Sequence, residues 1–251
     1  VGLKFTKGYV VSFDQVNALG EMTLKALFDR LMMTSGFQER SLPGLQAFRD
    51  QNQLAWVVTA HQLEINRLPR YGEEIAIETE ALTYNAFFTY RQFKVYDQTG
   101  QILVTALSTF SMIDLKDRKV VRVPDDIIQA YQVAPAKRKV KRLRLAKDLT
   151  ANDQVDQVTA QFLDIDGNRH VNNGVYLNWV TNSLGADWWL NKQLTHLSIA
   201  YEREIALGSQ VDVLTYDQMD ESHQTYHEIK SNQGRHALVA LTWQDRAGHL
   251  E

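Results

Sequence analysis

Between Asp164 and Trp179 the chain reads Asp-Ile-Asp-Gly-Asn-Arg-His-Val-Asn-Asn-Gly-Val-Tyr-Leu-Asn-Trp. Two carboxylates, four amides and one imidazole fall within these sixteen residues. Asp166, Asn168 and His170 alternate with other residues. A carboxylate and an imidazole can pass a proton at neutral pH, and an amide N–H can hold an oxygen that gains charge. On an extended strand Asp166 and His170 would lie roughly 13 Å apart at about 3.3 Å per residue, too far to cooperate. Gly167 and the density of Asp and Asn predict a curled loop instead. A helix is expected directly after it, whose unpaired N–H groups and positive dipole end would favour a developing anion such as a carbonyl oxygen under attack. The plainer use of the same residues is a polar turn with Asn172 or Asn173 as helix N-cap.

The elements that must position this loop recur twice along the chain. In the first half, Tyr9–Val16 reads as a strand. Met22, Leu24, Leu27, Phe28, Leu31 and Met32 recur at three and four and predict a helix ending near Gly36. A loop with a short helix fills Ser41–Gln53, and strands are predicted at Leu54–Ile65, Glu74–Leu82, Phe87–Tyr96 and Ile102–Asp114. A short helix is expected at Asp125–Tyr131. In the second half, Val155–Leu163 reads as a strand and Val175–Leu190 as a helix. Strands follow at Thr195–Glu204, Gln210–Tyr216, Gln224–Ser231 and His236–Gln244. His61…Gly72 matches His196…Gly208, and Thr89-Tyr90 matches Thr225-Tyr226, so an internal duplication is expected. That match sets Leu68 of the first half opposite Glu204 of the second. The first half also lacks a His in the loop before its helix. Chemistry is therefore expected in the second half and substrate binding in the first. The expected division is 1–133, a basic linker at 134–150, and 151–251. Within the linker, Lys137–Arg144 carries six basic residues in eight, a solvated linker or a docking patch for an acidic partner.

Composition narrows the function classes. The 251 residues are 44% hydrophobic, enough for one large or two ordinary domains. With no cysteine there is no disulfide framework, thiolate nucleophile or Cys-based zinc site, and a reducing bacterial cytoplasm is the expectation. The net charge of −3 argues against a nucleic-acid partner. No run of 18 uncharged apolar residues predicts a membrane span, and Val1–Lys7 has neither a signal-peptide core nor a Ser/Arg-rich composition. There is no Gly-x-Ser-x-Gly elbow and no glycine-rich phosphate loop. His223 and His227 are four apart, but on a predicted turn and strand, where four residues span roughly 13 Å. No metal or other cofactor is implied.

Asp166-x-Asn168-x-His170-Val-Asn-Asn-x-x-Tyr176 resembles the active-site motif of the plant and bacterial acyl-ACP thioesterases. Gln53–Thr59, Glu64–Gly72 and Tyr201–Glu204 are also similar to segments of that family, so the resemblance covers nearly the whole chain. It implies an α+β fold of two tandem hotdog domains, each a long helix gripped by a curved antiparallel sheet, paired as an intrachain pseudo-dimer. It further implies a catalytic set of Asp166, Asn168, His170 and Glu204, and hydrolysis of fatty acyl-ACP thioesters to a free fatty acid and carrier thiol. The family's Glu follows its His by 34 positions, as Glu204 follows His170 here. Plant members commonly carry Cys after that Glu; Ile205 stands here, so no thiol mechanism is needed. Acyl carrier protein is the implied partner, with Arg138, Lys141 and Arg142 of the basic run as docking residues. Met32, Met33 and Phe37 are the expected wall of an acyl pocket. Water attack assisted by Glu204 or Asp166, and direct attack by Asp166, both fit the motif. Acyl-CoA hydrolysis, a hotdog dehydratase and a non-catalytic acyl-binding protein are the rival functions, and association of two chains is left open.

Overall fold

Gly72, Gly100, Gly208 and Gly234 take φ of +80°, +84°, +77° and +110° at chain reversals, a backbone region that side chains rarely enter. The computed structural model describes residues 2–136, 155–218 and 223–246. In the first half the elements are β1 (Lys4–Val10), α1 (Leu24–Ser41), α2 (Leu45–Gln51), β2 (Leu54–Ile65), β3 (Glu74–Tyr84), β4 (Thr89–Tyr96), β5 (Ile102–Asp114), β6 (Lys119–Val121) and α3 (Asp125–Ala130). In the second they are β7 (Val155–Thr159), α4 (Val175–Ser183), α5 (Ala186–Asn191), β8 (Lys192–Tyr201), β9 (Gln210–Gln218), β10 (Gln224–Ser231) and β11 (Gly234–Asp245).

All these strands join one antiparallel sheet, in the order β1-β3-β4-β5-β2-β8-β11-β10-β9-β7, with β6 added to β5. Read inward from either end, the strand order is the same. The halves meet where β2 pairs with β8, from Ala60 opposite Ala200 to Glu64 opposite His196. Apolar residues on alternate positions of the central strands, such as Leu63, Ile65, Leu197 and Ile199, are buried on one face. Both main helices pack into the same core through Leu24, Leu27, Phe28 and Leu31 of α1 and Val175, Tyr176, Leu177 and Val180 of α4. The helices approach closely at their N-termini: a Cβ on Gly174 would lie 2.9 Å from Cγ and 3.3 Å from Cα of Lys25. A smaller core of Leu45, Leu54, Met112, Val123, Ile127 and Tyr131 lies beneath α2 and α3.

The coarse plan matches the sequence expectation of an α+β chain built on antiparallel strands, and several boundaries differ. The first strand is Lys4–Val10 rather than Tyr9–Val16, because Ser12–Gln15 closes a turn in which the Ser12 N–H donates to Gln15 Oε1. Helix α1 starts at Thr23, whose Oγ1 accepts the Ala26 N–H, and runs through Gly36 to Ser41. Buried Gln38 and Glu39 extend it, because Gln38 bonds to the Leu3 carbonyl and Glu39 bonds to Arg49 and Trp56. The single helix expected at Val175–Leu190 is broken at Gly185, with φ +78°. Strand β7 stops at Thr159 because Phe162–Asp164 forms a turn. Strand β8 ends at Tyr201, so Glu204 sits in the loop after the strand rather than on it. The expected match of His61 with His196 is also one residue out of register: His61 is fully buried, whereas His196 faces solvent. The spacings to the following glycine, 11 residues from His61 to Gly72 and 12 from His196 to Gly208, already differ by that one residue, and a one-residue slip moves a side chain to the other face. Strand β6 was not foreseen; three residues carry too little alternation to be read.

Candidate active site

Asp166 to His170 forms a tight loop. The Asp166 N–H donates to the His170 carbonyl at 3.0 Å, and the Arg169 N–H donates to the Asp166 carbonyl at 2.9 Å. Arg169 takes φ +67° to complete the turn, and Ile165 and Val171 form an antiparallel bridge at its base. The loop thus curls as the Asp, Asn and Gly content predicted. Asp166 Oδ1 accepts the Asn168 N–H at 2.8 Å, while Asn168 Nδ2 lies 3.5 Å from Asp166 Oδ2. His170 turns the other way. Its Nδ1 faces the Val171 carbonyl at 3.2 Å, and its Nε2 lies 3.7 Å from Glu204 Oε1. A carbonyl can only accept, so it favours the proton on Nδ1 and leaves Nε2 as the basic nitrogen beside Glu204. The four sequence-predicted residues therefore form two pairs, Asp166–Asn168 and His170–Glu204, at opposite ends of one short loop. Asp164 serves the turn before it, accepting the Gln161 N–H at 2.8 Å. Neither Asn172 nor Asn173 is the N-cap: Gly174 is, and Asn172 Oδ1 accepts the Gly174 N–H at 2.8 Å.

Two phenols, one buried and one partly buried, brace the loop against the Glu204 segment. Tyr176 donates from α4 to the Arg203 carbonyl at 3.3 Å, and Tyr201 donates from the end of β8 to the Asn173 carbonyl at 2.8 Å. Burial, and behind it the Glu204 carboxylate, holds the Tyr176 hydroxyl above its ordinary range. Burial does the same for Tyr201. Both stay protonated and remain donors. The Val171 N–H adds a third tie, to the Ile205 carbonyl at 2.8 Å. Behind Glu204, His236 of β11 is only 2% exposed. Its Nδ1 faces the carbonyls of Glu204 and Arg203 at 3.1 and 3.3 Å, and its Nε2 faces Ser231 Oγ at 2.8 Å.

Glu204 has a second partner that the sequence did not reveal. Arg118, from the turn between β5 and β6 of the first half, reaches Glu204 Oε2 with its Nη2 at 2.5 Å. The two side chains are 63% and 45% exposed, so the pair stands at the mouth of the site. No local pattern marks Arg118; it lies 86 residues from Glu204 and meets it only through the folded junction of the halves.

The first half contains the same backbone frame without the same side chains. The Asn17 N–H donates to the Glu21 carbonyl at 2.8 Å, the Leu19 N–H to Asn17 Oδ1 at 2.9 Å, and the Thr23 N–H to the Gln15 carbonyl at 2.8 Å. These repeat, in order, the bonds of Asp166 to His170, Asn168 to Asp166 and Asn172 to Asp164. The Met22 N–H donates to the Pro69 carbonyl as that of Val171 does to Ile205. Asn17, Leu19, Glu21 and Leu68 thus occupy the places of Asp166, Asn168, His170 and Glu204. Glu21 is closed off in a two-pronged pair with Arg246, at 2.8 and 2.7 Å.

The other predicted residues are dispersed. Met32 is partly buried against the core, whereas Met33 is 41% exposed beside Arg30. Phe37 is held between Lys7 and Arg40, 4.9 and 4.6 Å from its ring centre. Neighbours on a helix point about 100° apart, so Met32 and Met33 face different directions. Arg138, Lys141 and Arg142 lie outside the described residues. His227 is buried between Thr215 and Thr225, at 3.1 and 3.0 Å.

Comparison with known proteins places this geometry in a family. Residues 2–131 match the acyl-ACP thioesterase N-terminal domain and residues 147–245 the acyl-ACP thioesterase C-terminal domain. An oleoyl-acyl carrier protein thioesterase of Coriandrum sativum chloroplasts is 24% identical over 97% of this chain and 70% of its own length. A chloroplastic acyl-[acyl-carrier-protein] hydrolase of Cuphea viscosissima is 28% identical, over 64% of this chain and 41% of its own length. The match therefore spans less than half of that relative. Among solved structures, a Lactobacillus plantarum protein assigned as an oleoyl thioesterase superposes with a TM-score of 0.91 at 27% identity, over 98% of both chains. The 12:0-ACP thioesterase of Umbellularia californica shares the fold, with a TM-score of 0.82 at 20% identity over 98% of this chain and 99% of its own. Two matched halves, one of them carrying the Asp-x-Asn-x-His loop with its distant Glu, are accounted for together: the chain belongs to the acyl-ACP thioesterase family.

Proposed function

We propose that this chain hydrolyses fatty acyl thioesters of acyl carrier protein, releasing a free fatty acid and the carrier thiol. The observation that carries the reading is the contrast between two equivalent loops. One backbone frame holds Asn17, Leu19, Glu21 and Leu68 in the first half, and Asp166, Asn168, His170 and Glu204 in the second. A frame needed only for folding has no use for a proton-transfer pair in one copy alone. We read the halves as tandem hotdog domains, 1–133 binding substrate and 151–251 catalytic, with the basic run containing Arg138, Lys141 and Arg142 as the docking element for the acidic carrier.

The pairing of side chains supports water attack. His170 Nε2 takes a proton from water while Glu204, 3.7 Å away, stabilises the imidazolium that forms. The water oxygen adds to the thioester carbonyl. Asn168, oriented by Asp166, donates an amide N–H to the resulting oxyanion. Collapse breaks the carbon–sulfur bond, and the proton on His170 passes to the departing thiolate. In this scheme Asp166 orients Asn168, with Oδ1 accepting its backbone N–H at 2.8 Å and Oδ2 3.5 Å from its side-chain nitrogen.

The test is thiol release from matched panels of acyl-ACP and acyl-CoA, comparing the unaltered protein with Asp166→Ala, His170→Ala and Glu204→Ala. Hydrolysis of acyl-ACP that falls about 100-fold or more in the folded His170 and Glu204 variants is the expected result. Acyl-ACP binding without thiol release would make this a carrier-binding protein instead. Equal turnover of acyl-CoA would remove the proposed role of the basic run.

A further inference from the structure

We propose that His236, oriented by Ser231, is a positioning residue that sets Glu204 against His170. The inference rests on the thioesterase reading above, in which Glu204 serves His170. Three observations lead to it. First, the hydrogen-bond chain has one consistent direction. The carbonyls of Glu204 and Arg203, 3.1 and 3.3 Å from His236 Nδ1, can only accept, so they select the tautomer with the proton on Nδ1. Nε2 then accepts the Ser231 hydroxyl proton at 2.8 Å, while Ser231 Oγ accepts the Gln233 N–H at 3.1 Å. Second, the same residue grips this segment through its backbone, since the His236 carbonyl accepts the N–H groups of Glu202 and Arg203 at 2.8 and 3.2 Å. The short stretch bearing Glu204 is thus held by β11 from both its donor and its acceptor sides.

Third, the duplicated half supplies an internal control. There the Leu103 carbonyl accepts the N–H groups of Asn66 and Arg67, at 3.0 and 3.4 Å. Leu103 therefore occupies the place of His236, and its segment bears Leu68 rather than Glu204. Leucine satisfies the fold at this position. The buried imidazole is present only where the adjoining loop carries a carboxylate to aim. Burial keeps the imidazole below its ordinary range, despite the carbonyls that favour its protonated form. Its role is to donate one fixed hydrogen bond, and no proton transfer is assigned to it.

The test compares His236→Leu, His236→Asn and Ser231→Ala with the unaltered protein, and uses Ile77→Ala, in the core of the other half, as a control for stability alone. Asparagine places an amide N–H close to the position of Nδ1. His236→Leu is expected to lower kcat for acyl-ACP about tenfold or more with KM changed less than about twofold, and His236→Asn to recover most of it. The 15N signals of the His170 imidazole, read without substrate, are expected to move in His236→Leu and not in Ile77→Ala. Should His236→Leu fail to fold, Ser231→Ala is expected to lower kcat about threefold and to move the same signals. Unchanged kcat in folded His236→Leu, or no recovery in His236→Asn, would overturn the proposal. If the unaltered protein releases no thiol, the thioesterase reading fails, and the His170 signals alone decide whether His236 positions Glu204: no movement rejects it.

Discussion

Glu204 is shared between an imidazole and a guanidinium. His170 approaches one oxygen at 3.7 Å from within the same half, and Arg118 holds the other from across the junction. Because the Arg118 pair is exposed, it contributes under about 1 kcal/mol to stability and is screened by salt. Its weight falls on the chemistry, since a carboxylate drawn toward Arg118 is less able to stabilise the His170 imidazolium. Arg118→Ala is therefore expected to raise kcat about two- to fivefold at low ionic strength, with the two proteins converging as salt is added. Steady-state rates across a salt series check this, and a variant slower than the parent at every salt concentration would show that Arg118 serves the substrate instead. At the same scale, Asn168→Ala should cost about 100-fold in kcat with the fold intact, the loss expected for one oxyanion donor.

At the scale of elements, the site depends on how closely α1 and α4 start beside one another. Gly174 leaves room for Lys25 where any side chain would press on Cα at 3.3 Å. Gly174→Val should separate the helix starts, destabilise the protein by about 2 kcal/mol as overpacking does, and displace the loop that ends at Asn173. Chemical denaturation and activity on the same samples check it; full stability and full activity together would show that the contact yields freely. The elements were also where sequence legibility changed. Strands β2 and β5 are observed at the predicted limits, because long alternating runs end at turn residues. The curl of the Asp166–His170 loop and its place before a helix were legible from its Asp, Asn and Gly content. The division of its side chains into two pairs was not, because that depends on hydrogen bonds to Val171 and to the distant Glu204. Arg118 and His236 were illegible for the same reason. Each reaches the site through sheet pairing, and neither has a local spacing that betrays it. The surroundings of Phe37 were not legible either, because the two cations that approach its ring, Lys7 and Arg40, are brought there by β1 and by the last turns of α1.

For the whole molecule, buried imidazoles set a limit toward acid. Burial pushes His61 and His227 down to about 3. His61 is held by Ser108 at 2.6 Å and packed edge-on against Phe28 and Tyr201. Above the unfolded value near 6.5, both folded and unfolded chains hold these rings neutral, and their contribution to stability is complete. As pH falls below that value, the unfolded chain binds protons that the folded chain refuses. Stability is then lost progressively until the folded value near 3 is passed, on the order of 2 kcal/mol per ring by pH 5. Urea midpoints measured between pH 7.5 and 4.5 should fall steeply, and a flat profile would mean that the rings take up protons in place. In the matching loop of the first half, Glu21→Ala should destabilise the chain by about 3 kcal/mol, because it strands the largely buried Arg246 without its carboxylate. Thermal unfolding would register that loss.

Joining the halves through β2 and β8 leaves the sheet, among the described residues, with two outer strands, β1 and β7, where two separate sheets would have four. These outer strands differ in character: β1 carries Lys4 and Lys7, whereas β7 is only five residues long. The joined strands have no such lysines along Ala60–Leu63 and Leu197–Ala200, because neither strand meets solvent at that edge. Cutting the chain between the halves would turn an interior seam into two adhesive borders. Residues 2–136 produced alone should recruit a second copy of themselves along β2 and elute as a dimer or larger species, and Gln62→Pro should return that fragment to a monomer. On that expectation the covalent link between the halves guards against aggregation, because it keeps the β2 border occupied by β8.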